Sequence, residues 1–209
     1  MNLRRQVLTL LAGLPLLNAV LRAQTTALNA TPQDSLGPFY PPKWSGDIDN
    51  DLLAFGGKNF LKGTQLALSG RVLGVDGTPL IGATVEIWQT DDTGRYRHPD
   101  DDGEGPAKRG FQGFGRTVAD ADGRYTFRTI KPVLYSGRPP HIHFKVIAPG
   151  HRELVTQMYF AGENTERGGW FGFSKERDRL TVTATPSLPR RDGDRAVLAV
   201  NFDLVLAPI

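Results

Sequence analysis

His141 and His143 stand one residue apart in the segment His141-Ile142-His143-Phe144-Lys145-Val146, and two tyrosines, Tyr96 and Tyr135, precede them in the chain. If that segment is a strand, alternation sends both imidazoles to one face and Ile142 to the other. Two neighbouring ring nitrogens can then bind one ion. Taken alone, the pair could equally be hydrogen-bonded sheet residues, and a tyrosine in a turn is ordinarily an amphipathic surface residue. The joint pattern is more telling than any of its members. The chain has no Cys, so any metal must be held by His, Tyr or carboxylates.

The elements that must position these groups read as strands. Leu66–Leu73 is strand-like, Asp76-Gly77-Thr78-Pro79 is a turn, and Ala83–Gln89 alternates apolar and polar residues. Asp120-Ala121-Asp122-Gly123 is a second turn, leading into Arg124–Phe127 and then the His-x-His strand. Further strands are expected over Leu154–Phe160, Leu180–Ala184 and Ala196–Leu204. With 24 Gly and 15 Pro in 209 residues, the grammar is that of many turns and short strands. It predicts an all-β fold, an antiparallel β-sandwich over residues 64–209. Residues 99–115 and 161–175 are expected to be long loops on that scaffold, where a site would be built. Residues 24–63, rich in Pro, Gly, Asn and Asp, read as an irregular extended arm laid over the body.

Residues 1–23 differ from the rest. Arg4-Arg5 precede an apolar run from Val7 to Leu21, interrupted by Pro15 and Asn18, with Ala23 after it. That is the layout of an export signal, and the paired arginines resemble a twin-arginine signal, with the general secretory route also open. The run is too short and interrupted for a good spanning helix, so no stable membrane anchor is expected in the mature form. Removing residues 1–23 takes away Arg4, Arg5 and Arg22 and leaves 22 Lys+Arg against 22 Asp+Glu. The sequence pI of 9.3 therefore belongs largely to the signal, and nucleic acid is not an expected partner. The expected location is periplasmic or extracellular, and a homo-oligomer is compatible with the sequence.

Several segments together resemble the intradiol ring-cleaving dioxygenases, with the protocatechuate 3,4-dioxygenase branch nearest. They are Gly37-Pro38-Phe39-Tyr40, Gly70-Arg71-Val72, Val85–Gln89, Gly94-Arg95-Tyr96-Arg97-His98, Gly113-Phe114-Gly115, Arg138–His143 and Thr156–Phe160, in the family's order. The resemblance implies a non-haem ferric ion ligated by Tyr96, Tyr135, His141 and His143. Two phenolates are hard anionic donors that favour Fe(III), and imidazoles complete a shell suited to iron. By the same resemblance Tyr135 is the axial tyrosinate that leaves when substrate binds, Tyr96 and His141 are equatorial, and His143 is the other axial ligand. A catechol would bind as a chelating dianion and react with O2, and its ring would open between the hydroxylated carbons to a cis,cis-muconate-type diacid. Arg138 matches an arginine that stabilises charge building on the ring, and Gln157 matches a glutamine packed near it.

Other residues read more plainly. His98 and His151 are expected in exposed loops, Trp88 in the sandwich core, and Asp100-Asp101-Asp102 as a solvated run. Tyr40 is a candidate for the substrate pocket. Five residues separate Tyr135 from His141, without the Trp-containing insertion of many relatives, so the wall it would build is either missing or comes from elsewhere, with Phe111–Phe114 and Trp170–Phe173 as candidates, and the particular catechol stays open. Two rival readings exist. A non-catalytic exported module of the transthyretin-like or carbohydrate-binding kind would explain the turns but not the four donors. A cupin would need a carboxylate soon after the second histidine, where Phe144-Lys145-Val146-Ile147 stands instead.

Overall fold

The computed structural model describes residues 27–44, 46–101, 110–163, 175–187 and 197–209. The proposed signal, Trp170–Phe173 and Asp102 lie outside them. In chain order the elements are β1 (Ala54–Phe55), β2 (Lys58–Asn59), β3 (Gln65–Gly74), β4 (Thr84–Trp88), β5 (Phe114–Val118), β6 (Arg124–Ile130), β7 (His141–Ile147), β8 (Leu154–Phe160), a one-turn helix α1 (Lys175–Asp178), β9 (Thr181–Val182), β10 (Thr185–Ser187), β11 (Val197–Asn201) and β12 (Leu204–Leu206).

Two five-stranded sheets form the sandwich. One has β3 at its centre, paired with β6 along one edge and with β11 and then β12 along the other, with β10 outside β11; the second runs β5-β4-β7-β8-β9. Most pairings are antiparallel, but β11 and β12 run parallel to β3, and β9 runs parallel to β8. The inner faces follow the period of two. Leu66, Leu68 and Val72 meet Phe127, Val85, Ile87, Ile142, Phe144, Val146 and Met158 in one core, all 0–1% exposed. Each such side chain contributes roughly 1.5–3 kcal/mol by burial.

Three local expectations are corrected. The single strand over Ala196–Leu204 is broken at Phe202–Asp203. There the Phe202 carbonyl passes so close over Gly70 that a Cβ on that glycine would lie 2.1 Å from the oxygen, and the Asp203 carboxylate accepts from the Arg71 amide at 2.9 Å. The strand over Leu180–Ala184 is reduced to β9, with β10 beyond it pairing in the other sheet. Finally, β5 begins inside a segment read as loop. Its Gly115 has no room for a side chain, since a Cβ would meet the Asp49 carbonyl at 2.2 Å; that close approach of the arm left no alternating pattern to read.

The arm crosses the outer face of the site-bearing sheet. Its backbone bonds to Val75, Val205 and Val155 through Leu28, Thr31 and Asp34, and it contains the small β1–β2 hairpin.

Candidate metal and active site

His141 and His143 lie on β7, and their neighbours Ile142 and Phe144 fill the core, so alternation turns both imidazoles outward beneath the arm. Register completes the platform: Trp88 on β4 and Gln157 on β8 flank His143, and Tyr159 lies opposite His141. Tyr96 arrives from a tight loop after β4. Asp91 builds that loop, its Oδ1 accepting from the Thr93 amide, the Thr93 hydroxyl and the Arg95 amide at 2.7–3.1 Å, while Gly94 takes φ +79°.

The three donors converge. Tyr96 Oη lies 3.2 Å from His141 Nε2 and 3.1 Å from His143 Nε2, and the two Nε2 atoms are 3.2 Å apart. Three donors this close together could hold one cation between them. His141 Nδ1 donates to the Pro139 carbonyl at 2.7 Å, which leaves the Nε2 lone pair free for the ion. Tyr135 lies beside them. Its ring stands perpendicular to that of Tyr96 at 5.4 Å between centroids. Tyr135-Ser136-Gly137-Arg138 is a two-residue hairpin turn, with φ +45° at Ser136 and +76° at Gly137, closed by the Arg138 amide donating to the Tyr135 carbonyl at 2.7 Å. The short link noted in the sequence is therefore a tight turn presenting Tyr135 and Arg138 side by side.

Burial governs protonation here. It pulls His141 down to about 4, with the Arg138 charge assisting, and burial, His141 and Arg138 hold His143 well below the usual range. Both rings are neutral at pH 7, the form that ligates metal. Burial pushes the Tyr96 phenol well up, against the opposing pull of Arg138, so a bound cation must displace its proton. Among the described residues no cluster of three His, Cys, Asp or Glu exists. The described donors that converge are two imidazoles and a phenol, and a hard phenol oxygen fits Fe(III).

Arg138 and Gln157 are linked as well. Arg138 donates to Gln157 Oε1 at 2.6 Å, and Gln157 Nε2 donates to the Ser35 carbonyl of the arm at 2.7 Å, which fixes the amide with its oxygen toward the guanidinium. Tyr159 Oη lies 3.0 Å from the same Oε1 and 2.9 Å from Asp34 Oδ2.

The arm supplies residues that sequence reasoning did not single out. Phe39 stacks on Tyr96 at 4.7 Å and sets its edge against Tyr135 at 5.8 Å. Gly37 has φ +71°, and a Cβ there would sit 3.1 Å from His143 Cε1. Gly37→Ala is therefore expected to lower stability by about 1–2 kcal/mol from the left-handed backbone alone. It should also displace His143, read as a lower melting temperature together with reduced metal occupancy.

Several plainer readings are corrected. Trp88 is buried, but on the outer face with Tyr96 and Phe114, because Val85 and Ile87 hold the inward positions of β4. His98 is not an exposed loop residue: its side chain is 6% accessible and its ring abuts Phe39. Asp101 departs from the solvated run, since its buried carboxylate accepts from the Tyr96 amide at 2.5 Å and pairs with Arg95 at 3.3 Å. Phe111 packs into the main core against Phe60, and Phe114 packs against Trp44. Tyr40 packs edge-on against Trp88 and donates to Glu86 at 2.7 Å, one aromatic layer behind His143.

The sequence profile of the family described as Dioxygenase matches residues 36–208. The chain belongs to the intradiol ring-cleaving dioxygenase family. Within that family it is 40% identical over 145 residues to the protocatechuate 3,4-dioxygenase beta chain of Burkholderia cepacia, covering 63% of this chain and 60% of that one. It is 32% identical over 236 aligned positions to the hydroxyquinol 1,2-dioxygenase of Nocardioides simplex, covering 99% and 75%. Among solved structures it superposes with a TM-score of 0.66 on the dioxygenase domain of a dioxygenase and carbohydrate-binding protein fusion from Streptomyces sp. SirexAA-E, at 31% identity, covering 87% of this chain and all of that one. The chain spans 48% of the catechol 1,2-dioxygenase of Acinetobacter baylyi, so about half the length of some intradiol relatives lies outside the match.

Proposed function

We propose that this chain is a non-haem ferric dioxygenase that opens a catechol-type ring between its two hydroxylated carbons with O2, giving a cis,cis-muconate-type diacid. The observation that carries the reading is the donor triangle of Tyr96, His141 and His143, with Tyr135 and Arg138 presented beside it by one tight turn.

Tyr96, Tyr135, His141 and His143 would hold the ion. Bound there, Fe(III) would supply a Lewis acid that draws the catechol's oxygens in as a dianion and makes the ring reactive toward O2. The protein's own work is distributed around it. Tyr135 is half-buried, unlike Tyr96, His141 and His143, so its Oη is the proposed ligand atom best placed to meet an incoming substrate and would accept a catechol proton. Tyr96 and His141 are 3% exposed and pinned through Asp101 and Pro139, which suits them to staying in place. Arg138 presents a fixed positive charge beside the ring as electron density builds on carbon, and Gln157 holds that guanidinium still. Phe39 packs against the rings of both Tyr96 and Tyr135 and so helps to fix their mutual orientation.

We further propose that the protein is exported with its cofactor, a reading supported by Arg4-Arg5 and the apolar run behind them. Two phenolates on Fe(III) give a charge-transfer band, so the iron-loaded protein is expected to be burgundy, its spectrum to shift when a catechol is added, and the product to be a ring-opened diacid by mass spectrometry. A correctly loaded protein that is colourless and does not respond to catechols would refute this reading and leave a binding module.

A further inference from the structure

We propose that Trp88 is a positioning residue for the His143 imidazole, clamping it face to face, and that this clamp governs how long the site retains its ion; the second half rests on the ferric reading above.

The two metal-facing histidines are held by different means. His141 is fixed through its Nδ1 hydrogen bond to the Pro139 carbonyl. Nδ1 of His143 makes no hydrogen bond of ordinary geometry; its one neighbour is the Ser35 carbonyl, a weak contact to an oxygen that also accepts from Gln157 Nε2 at 2.7 Å. A ring without such a bond can turn about its Cβ–Cγ axis unless packing prevents it. Packing here is specific: Trp88 lies directly opposite His143 in the β4–β7 register, and the two rings are parallel to within 9° with centroids 4.8 Å apart. Any rotation of the imidazole must drive an edge into the indole face.

The clamp is itself immobilised. Trp88 is 1% exposed and is backed by Tyr40, whose ring meets the indole edge-on at 5.0 Å and 83°. Tyr40 in turn is anchored by its hydroxyl to buried Glu86 at 2.7 Å, and Glu86 is paired with Arg116 at 3.4 Å. The chain from Arg116 through Glu86, Tyr40 and Trp88 thus ends on the face of His143, and it does for that ring what one backbone carbonyl does for His141.

Trp88→Leu, Trp88→Phe and, as a control, Phe127→Leu separate this role from simple core packing. Phe127 is 1% exposed and belongs to the main core, not to the aromatic group around Trp88. Both leucine variants are expected to melt at lower temperature without metal. Release of iron to a competing chelator should be roughly 10-fold faster or more in Trp88→Leu, the scale set by losing an orienting partner of a ligand, and close to wild type in Trp88→Phe and Phe127→Leu. Equal acceleration in Phe127→Leu at a matched loss of stability would overturn the proposal. A second arm needs no iron. The Cε1–H resonance of His143 in the metal-free protein should be single and narrow in wild type and Trp88→Phe, and broadened or doubled in Trp88→Leu. A narrow single resonance in Trp88→Leu would refute the clamp even if wild type takes up no iron, an outcome that would separately refute the ferric reading.

Discussion

Tyr96→Phe is expected to leave a folded protein that neither takes up stoichiometric iron nor colours, with turnover of any catechol reduced by at least about 1,000-fold. The substitution removes one oxygen and keeps the ring, so the stack on Phe39 at 4.7 Å survives. What disappears is one of the two proposed anionic donors, leaving two neutral imidazoles, their Nε2 atoms 3.2 Å apart, and the less buried Tyr135. The preference for Fe(III) over a softer or divalent ion depends on the phenolate oxygens, and the variant halves their number. Loss of an outer partner of a ligand typically costs 10–100-fold in metal affinity, so loss of the ligand itself should cost more. Iron per chain by elemental analysis and the visible spectrum measure the effect, with circular dichroism as the control for folding. Full iron content and unchanged colour in Tyr96→Phe would remove that residue from the ligand set.

The second large effect concerns Arg138. Arg138→Leu should retain its iron and colour while losing roughly 100- to 1,000-fold in kcat, the range found when one preorganised donor to a developing negative charge is removed. The guanidinium owes its preorganisation to Gln157, whose amide is locked by the Ser35 carbonyl at 2.7 Å. Gln157→Leu should therefore lower kcat too, by a smaller factor. The double variant should be little worse than Arg138→Leu alone, because the two residues act as one unit. Single-turnover kinetics with a saturating catechol would show this; a wild-type kcat in Arg138→Leu would assign the arginine to structure alone.

Much of this arrangement was legible in the residues. Alternation along β7 was enough to place His141 and His143 on one face, and the turn residues of Asp76-Gly77 and Asp122-Gly123 marked the sandwich, because both signals are local and periodic. The resemblance to the intradiol family carried Tyr96, Tyr135, Arg138 and Gln157, which no spacing rule would have joined. Several residues escaped because no periodic pattern announced their partners or because the pattern was overridden by residue type. Asp101 looked like one of three solvated aspartates, yet it is buried holding the Tyr96 amide. Trp88 looked like core because tryptophan is large and apolar, although strict alternation from Ile87 already pointed it outward. Phe39 and Gly37 sit in a segment without periodicity, and only the path of the arm over β7 reveals what they touch.

That path has a consequence for the order in which the protein is built. Asp34 and Ser35 reach Tyr159 and Gln157 across sequence separations of 125 and 122 residues, and Gly37 abuts His143. Contacts of such long range form late, because the chain must surrender the most freedom to make them. During synthesis the first-made part of the site waits for β7 and β8, which emerge last among its components. A nascent chain stopped before Tyr159 carries both tyrosines and both histidines but cannot close the strap over them. Iron captured at that stage would sit in a half-walled site, open to water and to competing ions. Holding an ion securely would therefore be a property of the completed chain, because the arm closes over the site only after the last of the proposed ligands has been made.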